Sequence, residues 1–195
     1  MKLILASASP RRRELMALAV PAYEVCVSQV DESALTAPDP AALAQVLARA
    51  KCAAVASLRP EDVVVGCDTV VDVDGQVLGK PRDKHDARRM LLSLSGRTHK
   101  VHTGVCILAP GEEQLFCTTT EVEFWPLEPQ ELEKYLASEE PYDKAGAYGI
   151  QGGAAKFVRG IRGCYFNVVG LPVSQVHWVL RQMKCWQTLG FGEEC

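Results

Sequence analysis

The stretch LASASPRRRELM (residues 5–16) sets Arg11, Arg12 and Arg13 in a row directly behind a serine–proline turn. The run Lys2–Ala6 reads as a short buried strand, Ser9 suits an N-cap and Pro10 suits the first helical position. The arginines therefore fall in the first turn of a helix, with Leu15 and Leu18 expected on its buried face. The macrodipole is already positive there, and each misplaced cation costs roughly 0.3–1 kcal/mol at an exposed site. Glu14 offsets part of that cost. A solvated basic turn would account for one arginine. Three of them point to an anion, and helix N-termini bind phosphate.

Three further stretches could do chemistry beside this turn. Asp68-Thr69 follows the apolar run VVVGC, and a carboxylate there is costly to bury unless it is paired or binds a cation. Ligand sites in α/β proteins also favour strand ends, although a structural Asp held by turn amides is the alternative. Gly79-Lys80-Pro81 resembles the end of a Walker A loop. The Gly75–Gly79 spacing is too short, however, and proline stands where a serine or threonine must bind magnesium, which excludes a P-loop. Lys80 remains a cation presented after a strand. The third stretch, DKAGAYGIQG (Asp143–Gly152), lets backbone approach a ligand closely, with Tyr148 as a stacking face and Gln151 as an amide able to read a base edge. Its alternative is a glycine-rich surface loop. Together the cations Arg11, Arg12, Lys51 and Lys80, the acids Glu32 and Asp68, and this loop fit a nucleoside triphosphate with a divalent metal.

The elements that must position these groups alternate between helices and hairpins. A strand at Tyr23–Val27, a helix from about Ala41 to Ser57 carrying Lys51, and a buried strand turning at Asp74-Gly75 follow the arginine helix. Asp83 can cap a helix to about Leu94. KVHTGVCILA and QLFCTTTEVEFW read as strands, Pro129 opens a helix to about Ser138, and KFVRGIRGCYFNVV reads as a further strand pair. A last helix runs to about Lys184 with Val173, Val176, Val179 and Leu180 as its stripe, and the tail at 186–195 is expected to fray. No repeat or linker divides the chain, so residues 1–195 read as one α/β domain with a mixed central β-sheet and flanking helices.

Composition narrows the function classes. A formal net charge of −3 leaves no broad basic excess for a nucleic-acid partner, whereas a local cationic pocket suits a small anion. No apolar run approaches a bilayer span, and the arginines follow the first apolar stretch instead of preceding it, unlike a signal peptide. The chain is therefore expected in the cytoplasm, away from membranes. The eight cysteines show no CxxC and no zinc-like spacing, so they read as reduced and mostly as small hydrophobes, and Cys195 has no assignable role. His99 and His102 lie three apart on a predicted strand and point to opposite faces, so they form no metal site. His85 and His177 read as helix-surface residues.

The motifs LASASPRR, VDE, the lysine of LARAKC, GCDTVV, GKPRD, SGRTHKVHTGV, DKAGAYGIQG and NVVGLP occur in that order across Lys2–Pro172. This closely resembles the Maf family of nucleotide pyrophosphatases, first named for septum-formation inhibition. The resemblance implies an inosine-triphosphatase-like fold, a mixed sheet with two lobes around a cleft, often dimeric. It also implies hydrolysis of a nucleoside triphosphate between the α and β phosphates, with Mg²⁺ or Mn²⁺. Asp68 matches the family's catalytic base. Arg12, Lys51 and Lys80 match its phosphate-facing cations, Glu32 with Asp68 its metal-facing acids, and Ser7, Ser9 and the helix amides would complete the phosphate cradle. Arg11, Thr69 and Gln151 match the branch acting on dTTP and UTP, whereas the 7-methyl-GTP branch resembles SPWR, DQ and a glutamate. Arg13 lies outside the motif and reads as a solvated charge. Modified pyrimidine nucleotides are one alternative substrate class, and a non-catalytic nucleotide-binding regulator of cell division is the alternative to an enzyme.

Overall fold

The computed structural model describes residues 1–191. Its centre is a seven-stranded mixed sheet in the order β2-β1-β3-β5-β6-β7, with β4 pairing a second stretch of β3. The strands are β1 (Leu3–Leu5), β2 (Glu24–Val25), β3 (Val63–Val73), β4 (Gln76–Leu78), β5 (Thr98–Ala109), β6 (Glu112–Phe124) and β7 (Val158–Arg162). The first three pair in parallel and the rest antiparallel. Helices α1 (Pro10–Ala19), α2 (Pro40–Ala56), α3 (Lys84–Leu94), α4 (Pro129–Leu136), α5 (Tyr165–Val169), α6 (Val173–Gln182) and α7 (Cys185–Thr188) flank it. No helix among the described residues is long and apolar enough to cross a membrane.

Local chemistry sets the helix starts. Ser9, Asp39 and Asp83 each accept a hydrogen bond from the backbone N–H three residues on, and Pro10, Pro40 and Pro129 stand in the first turns. Each such cap contributes about 1 kcal/mol. Leu15, Met16 and Ala19 form the buried face of α1, whereas Leu18, on the flank of that stripe, is 66% exposed.

β3 is buried on both faces, and its alternation sorts two cores. Val63, Val65, Cys67 and Val71 face the large core, which Leu15 and Met16 of α1, Leu91 of α3, Leu136 of α4 and Leu180 of α6 complete. Val64 and Val70 face α2. That helix lies directly on the sheet backbone. A Cβ at Gly104 would fall 2.2 Å from the Ala44 carbonyl oxygen, and one at Gly66 2.5 Å from that of Ala48. The described cysteines are all free.

One register detail creates the cleft. β1 pairs with β3 as far as Leu5↔Val65, then leaves into α1, and β4 joins the same edge of β3 only at Val71↔Leu78. Between Val65 and Val71 that edge carries no strand. Side chains from both faces of β3 therefore reach one opening, with α1 and α2 on one side and β4 and the glycine-rich segment on the other.

Two sequence expectations are corrected here. Of KFVRGIRGCYFNVV only Val158–Arg162 is a strand, and Tyr165–Val169 is helical. Asn167 explains the difference: it is fully buried, and its amide donates to the Val101 carbonyl at 3.0 Å and to Thr120 Oγ1 at 2.9 Å. Tertiary bonding thus overrides the β-propensity of the flanking apolar residues. His177 is no free surface residue, because its Nδ1 donates to the Ala19 carbonyl at 2.8 Å and its ring meets Trp186 edge-on. Trp186 also packs against Phe191, while the remainder of the expected tail, 192–195 with Cys195, lies outside the described residues.

Candidate active site

The opening beside β3 is a cleft of about 1040 Å³, and Ser7, Arg11, Arg12, Glu32, Lys51, Asp68, Thr69, Lys80 and Gln151 all line it. Residues far apart in sequence are thus gathered as expected, but their partners differ.

Asp68 points to the α2 face. Its Oδ1 accepts from Lys51 Nζ at 2.5 Å, and the same ammonium lies 2.9 Å from Glu32 Oε1. Asp68 is 9% exposed, and its second oxygen has no protein partner among the described residues. Asp31 is excluded from this trio. Its Oδ1 accepts from the backbone N–H and the hydroxyl of Ser33 at 3.0 and 2.7 Å, so Glu32 is the acid of the VDES turn that faces Lys51.

Thr69 points to the opposite face. Its Oγ1 accepts from Arg12 Nη2 at 3.1 Å, and Arg12 Nε donates to the Gly170 carbonyl at 3.0 Å. The remaining guanidinium N–H groups have no protein partner among the described residues. Arg11 stands 4.0 Å from Asp143 across the cleft. Lys80 is exposed and has no carboxylate within salt-bridge reach among the described residues. Arg13 is exposed, as a charge outside the motif should be.

The expected cradle of helix amides is smaller than the sequence implies. Pro10 has no N–H, Arg12 N–H is capped by Ser9 Oγ at 3.4 Å and Arg13 N–H bonds the Ser9 carbonyl at 3.2 Å, which leaves the Arg11 amide. Ser7 is buried at 6% exposure, and its Oγ accepts from the Ser9 N–H at 3.2 Å, so its own proton remains available to an anion.

The glycine-rich segment is a set of tight turns braced from behind. Tyr148 is no stacking platform: it is 5% exposed, its hydroxyl bonds His99 Nε2 at 2.7 Å and its ring packs edge-on against His99 and Phe124. Burial pushes its phenol well above the ordinary range. Gln151 is exposed at the cleft mouth on a loop that Glu140 clamps. Glu140 accepts from the Gly153 N–H at 2.8 Å and from Tyr135 OH at 3.1 Å, and a Cβ at Gly152 would fall 2.2 Å from its carboxylate.

Sequence reasoning assigned no role to Glu140, Thr103 or Asn167. A lone Asn within the apolar YFNVV run was the available signal for the last. His99 and His102 are core residues, His99 bonding Tyr148 and His102 bonding Thr119 and Asp72.

Among the described residues no three His, Cys, Asp or Glu side chains cluster as a metal site. Glu32 and Asp68 nonetheless converge on one cationic centre and offer hard oxygen donors, the set that suits Mg²⁺ bound through one or two carboxylates plus substrate phosphates. The donor set therefore fits a cation that shares its coordination with a phosphate ligand.

A family model described as Maf-like protein matches residues 2–183. The chain belongs to the Maf family. Among its Maf relatives it is 47% identical over 181 residues to the dTTP/UTP pyrophosphatase of Bacillus cytotoxicus, covering 93% of this chain and 95% of that protein. It is 46% identical over 183 residues to the dTTP/UTP pyrophosphatase of Bacillus cereus strain AH187, covering 94% and 96%. The solved Ham1 protein of Staphylococcus aureus overlaps 64% of this Maf chain and 72% of its own, with a TM-score of 0.48 and 17% identity.

Proposed function

We propose that this chain is a nucleoside triphosphate pyrophosphatase that hydrolyses dTTP and UTP to the monophosphate and pyrophosphate. The observation that carries the reading is the pairing of Lys51 with both Asp68 and Glu32 in the cleft that also holds Arg12 and Lys80. A carboxylate fixed on one oxygen and open on the other can orient a water, and cations beyond it can hold a triphosphate. The relatives, dTTP/UTP pyrophosphatases at 46–47% identity over nearly the whole chain, support the same substrate class.

In this reading a water attacks the α-phosphorus in line, its proton passing to the free oxygen of Asp68, and the bond to the bridging oxygen of the β-phosphate breaks. Such general-base assistance contributes about 10²–10⁴-fold. Ser7, Arg12, Lys51 and Lys80 hold the phosphates and stabilise charge on the departing pyrophosphate. Glu32 and Asp68 would hold Mg²⁺ or Mn²⁺, which supplies electrophilic polarisation of the phosphoryl oxygens when bound. Arg11, Thr69 and Gln151 select the nucleotide. Thymine and uracil differ by one methyl, worth only about 1–3 kcal/mol in a pocket, so a site for dTTP also takes UTP.

The test is pyrophosphate release from dTTP, UTP, CTP, GTP and 7-methyl-GTP with Mg²⁺ or Mn²⁺, for the wild type and Asp68→Asn. Release from dTTP and UTP that falls by about 10²-fold or more in the variant supports the reading. Nucleotide binding without release from any of the five overturns it.

A further inference from the structure

Thr103 is fully buried on β5, directly opposite Thr69 in the β3–β5 ladder, and does not itself line the cleft. Its Oγ1 lies 3.0 Å from the Asn167 carbonyl oxygen and 2.9 Å from Thr69 Oγ1. A carbonyl only accepts, so the single Thr103 proton goes to Asn167. Thr103 can then meet Thr69 only as an acceptor, and the single Thr69 proton points inward. Arg12 Nη2, which only donates, takes one acceptor position on Thr69. The protons thus run one way, from Arg12 to Thr69 to Thr103 to the Asn167 carbonyl.

The opposite order is disfavoured on chemical grounds. Turning the Thr103 proton toward Thr69 would strip the carbonyl of fully buried Asn167 of this donor, at the desolvation penalty of an unmet acceptor. Asn167 cannot swing away to find another, because its side-chain amide is tied to Val101 and Thr120, and Thr120 Oγ1 in turn bonds the backbone of Cys164.

We propose that Thr103 is a positioning residue that fixes the hydrogen-bond polarity of Thr69, so that Thr69 meets the substrate as an acceptor only. The cleft then favours nucleotides that present a donor at this point. This inference rests on the pyrimidine-nucleotide reading above and deepens it. Two groups of dTTP and UTP are such donors: the imide N3–H of the base and a sugar hydroxyl. Cytosine offers an N3 lone pair instead, and two acceptors facing each other repel. Thr103 therefore shapes selectivity without touching the substrate.

The experiment measures pyrophosphate release from dTTP, UTP, CTP and 2′,3′-dideoxy-TTP by the wild type, Thr103→Val and Thr103→Ser, with Thr103→Ala beside them in case valine disturbs packing. Removing the hydroxyl frees the Thr69 proton. The expected result is a fall of about tenfold or more in a preference ratio in Thr103→Val or Thr103→Ala, restored by Thr103→Ser. A fall in UTP over CTP identifies the imide as the donor. A fall in dTTP over dideoxy-TTP identifies the sugar hydroxyl. A merely structural threonine would lower all rates together and leave both ratios where they were, and that outcome overturns the inference alone. A wild type that releases pyrophosphate from none of the four overturns the functional reading, and this inference with it.

Discussion

The Lys51 ammonium stands 2.5 Å from Asp68, with side chains only 14% and 12% exposed, so strand β3 and helix α2 are joined by a part-buried ion pair. Glu32 approaches the same nitrogen from a loop at 2.9 Å. One lysine thus sets the separation of two carboxylates that would otherwise repel. Lys51→Met should cut pyrophosphate release from UTP by about 10²–10³-fold, the usual cost of losing one preorganised group from an electrostatic site. Lys51→Arg should not restore it, because a planar fork does not replace a compact ammonium between two acids. Turnover near the wild-type rate in Lys51→Met would remove the lysine from the mechanism.

The placement of α2 gives a second expectation. Because a Cβ at Gly104 would enter the Ala44 carbonyl group at 2.2 Å, Gly104→Ala must lift the helix from the sheet. Overpacking of this kind costs about 1–3 kcal/mol. Denaturant unfolding should show that loss, and turnover should fall with it because Lys51 rides on the same helix. A variant as stable as the wild type would mean that α2 has room to shift.

Much of this arrangement is legible in the sequence because it follows from short-range rules. Ser9-Pro10 and Asp83 announce helix starts through bonds made within four residues, and Asp74-Gly75 announces the β3–β4 hairpin. Ordered motifs gather Arg12, Lys51, Asp68 and Lys80 into one expected site, and they do line one cleft. What periodicity could not provide is how Asp68 and Thr69, consecutive residues on opposite faces of a strand, serve one cleft. The answer is the bare edge of β3 between its two partners, a property of pairing across the whole chain. The burial of Tyr148 and the helical YFNVV segment were missed for the same reason. Each is decided by a bond to a distant residue, His99 in one case and Val101 in the other.

His99 makes stability depend on pH. It is 2% exposed, and burial pushes its imidazole down from 6.5 to about 4. In the unfolded chain the ring takes a proton near pH 6.5, while in the fold it resists until about pH 4. Its contribution is therefore complete above 6.5 and is lost as pH falls through that window, on the order of 3 kcal/mol in all. His99→Gln keeps a polar partner for Tyr148 but does not titrate. Denaturant midpoints measured from pH 7 to pH 4 should fall more steeply for the wild type than for the variant. Parallel curves would show that His99 is not the source.

Glu140 lines the cleft beside the Gln151 loop and braces that loop. Its carboxylate holds the Gly153 N–H and the Tyr135 hydroxyl and fills the space a side chain at Gly152 would need, so the turn that presents Gln151 is fixed from behind. Glu140→Ala removes both bonds and opens a gap under the loop. Gln151 would then sample many positions, which weakens binding in the ground state and the transition state alike. The expected signature is a KM for dTTP raised by about tenfold with kcat changed much less, as loss of uniform binding requires. Glu140→Gln keeps an acceptor for the Gly153 N–H and should recover most of the affinity. A fall in kcat with KM unmoved would place Glu140 in the chemical step instead of beneath the loop.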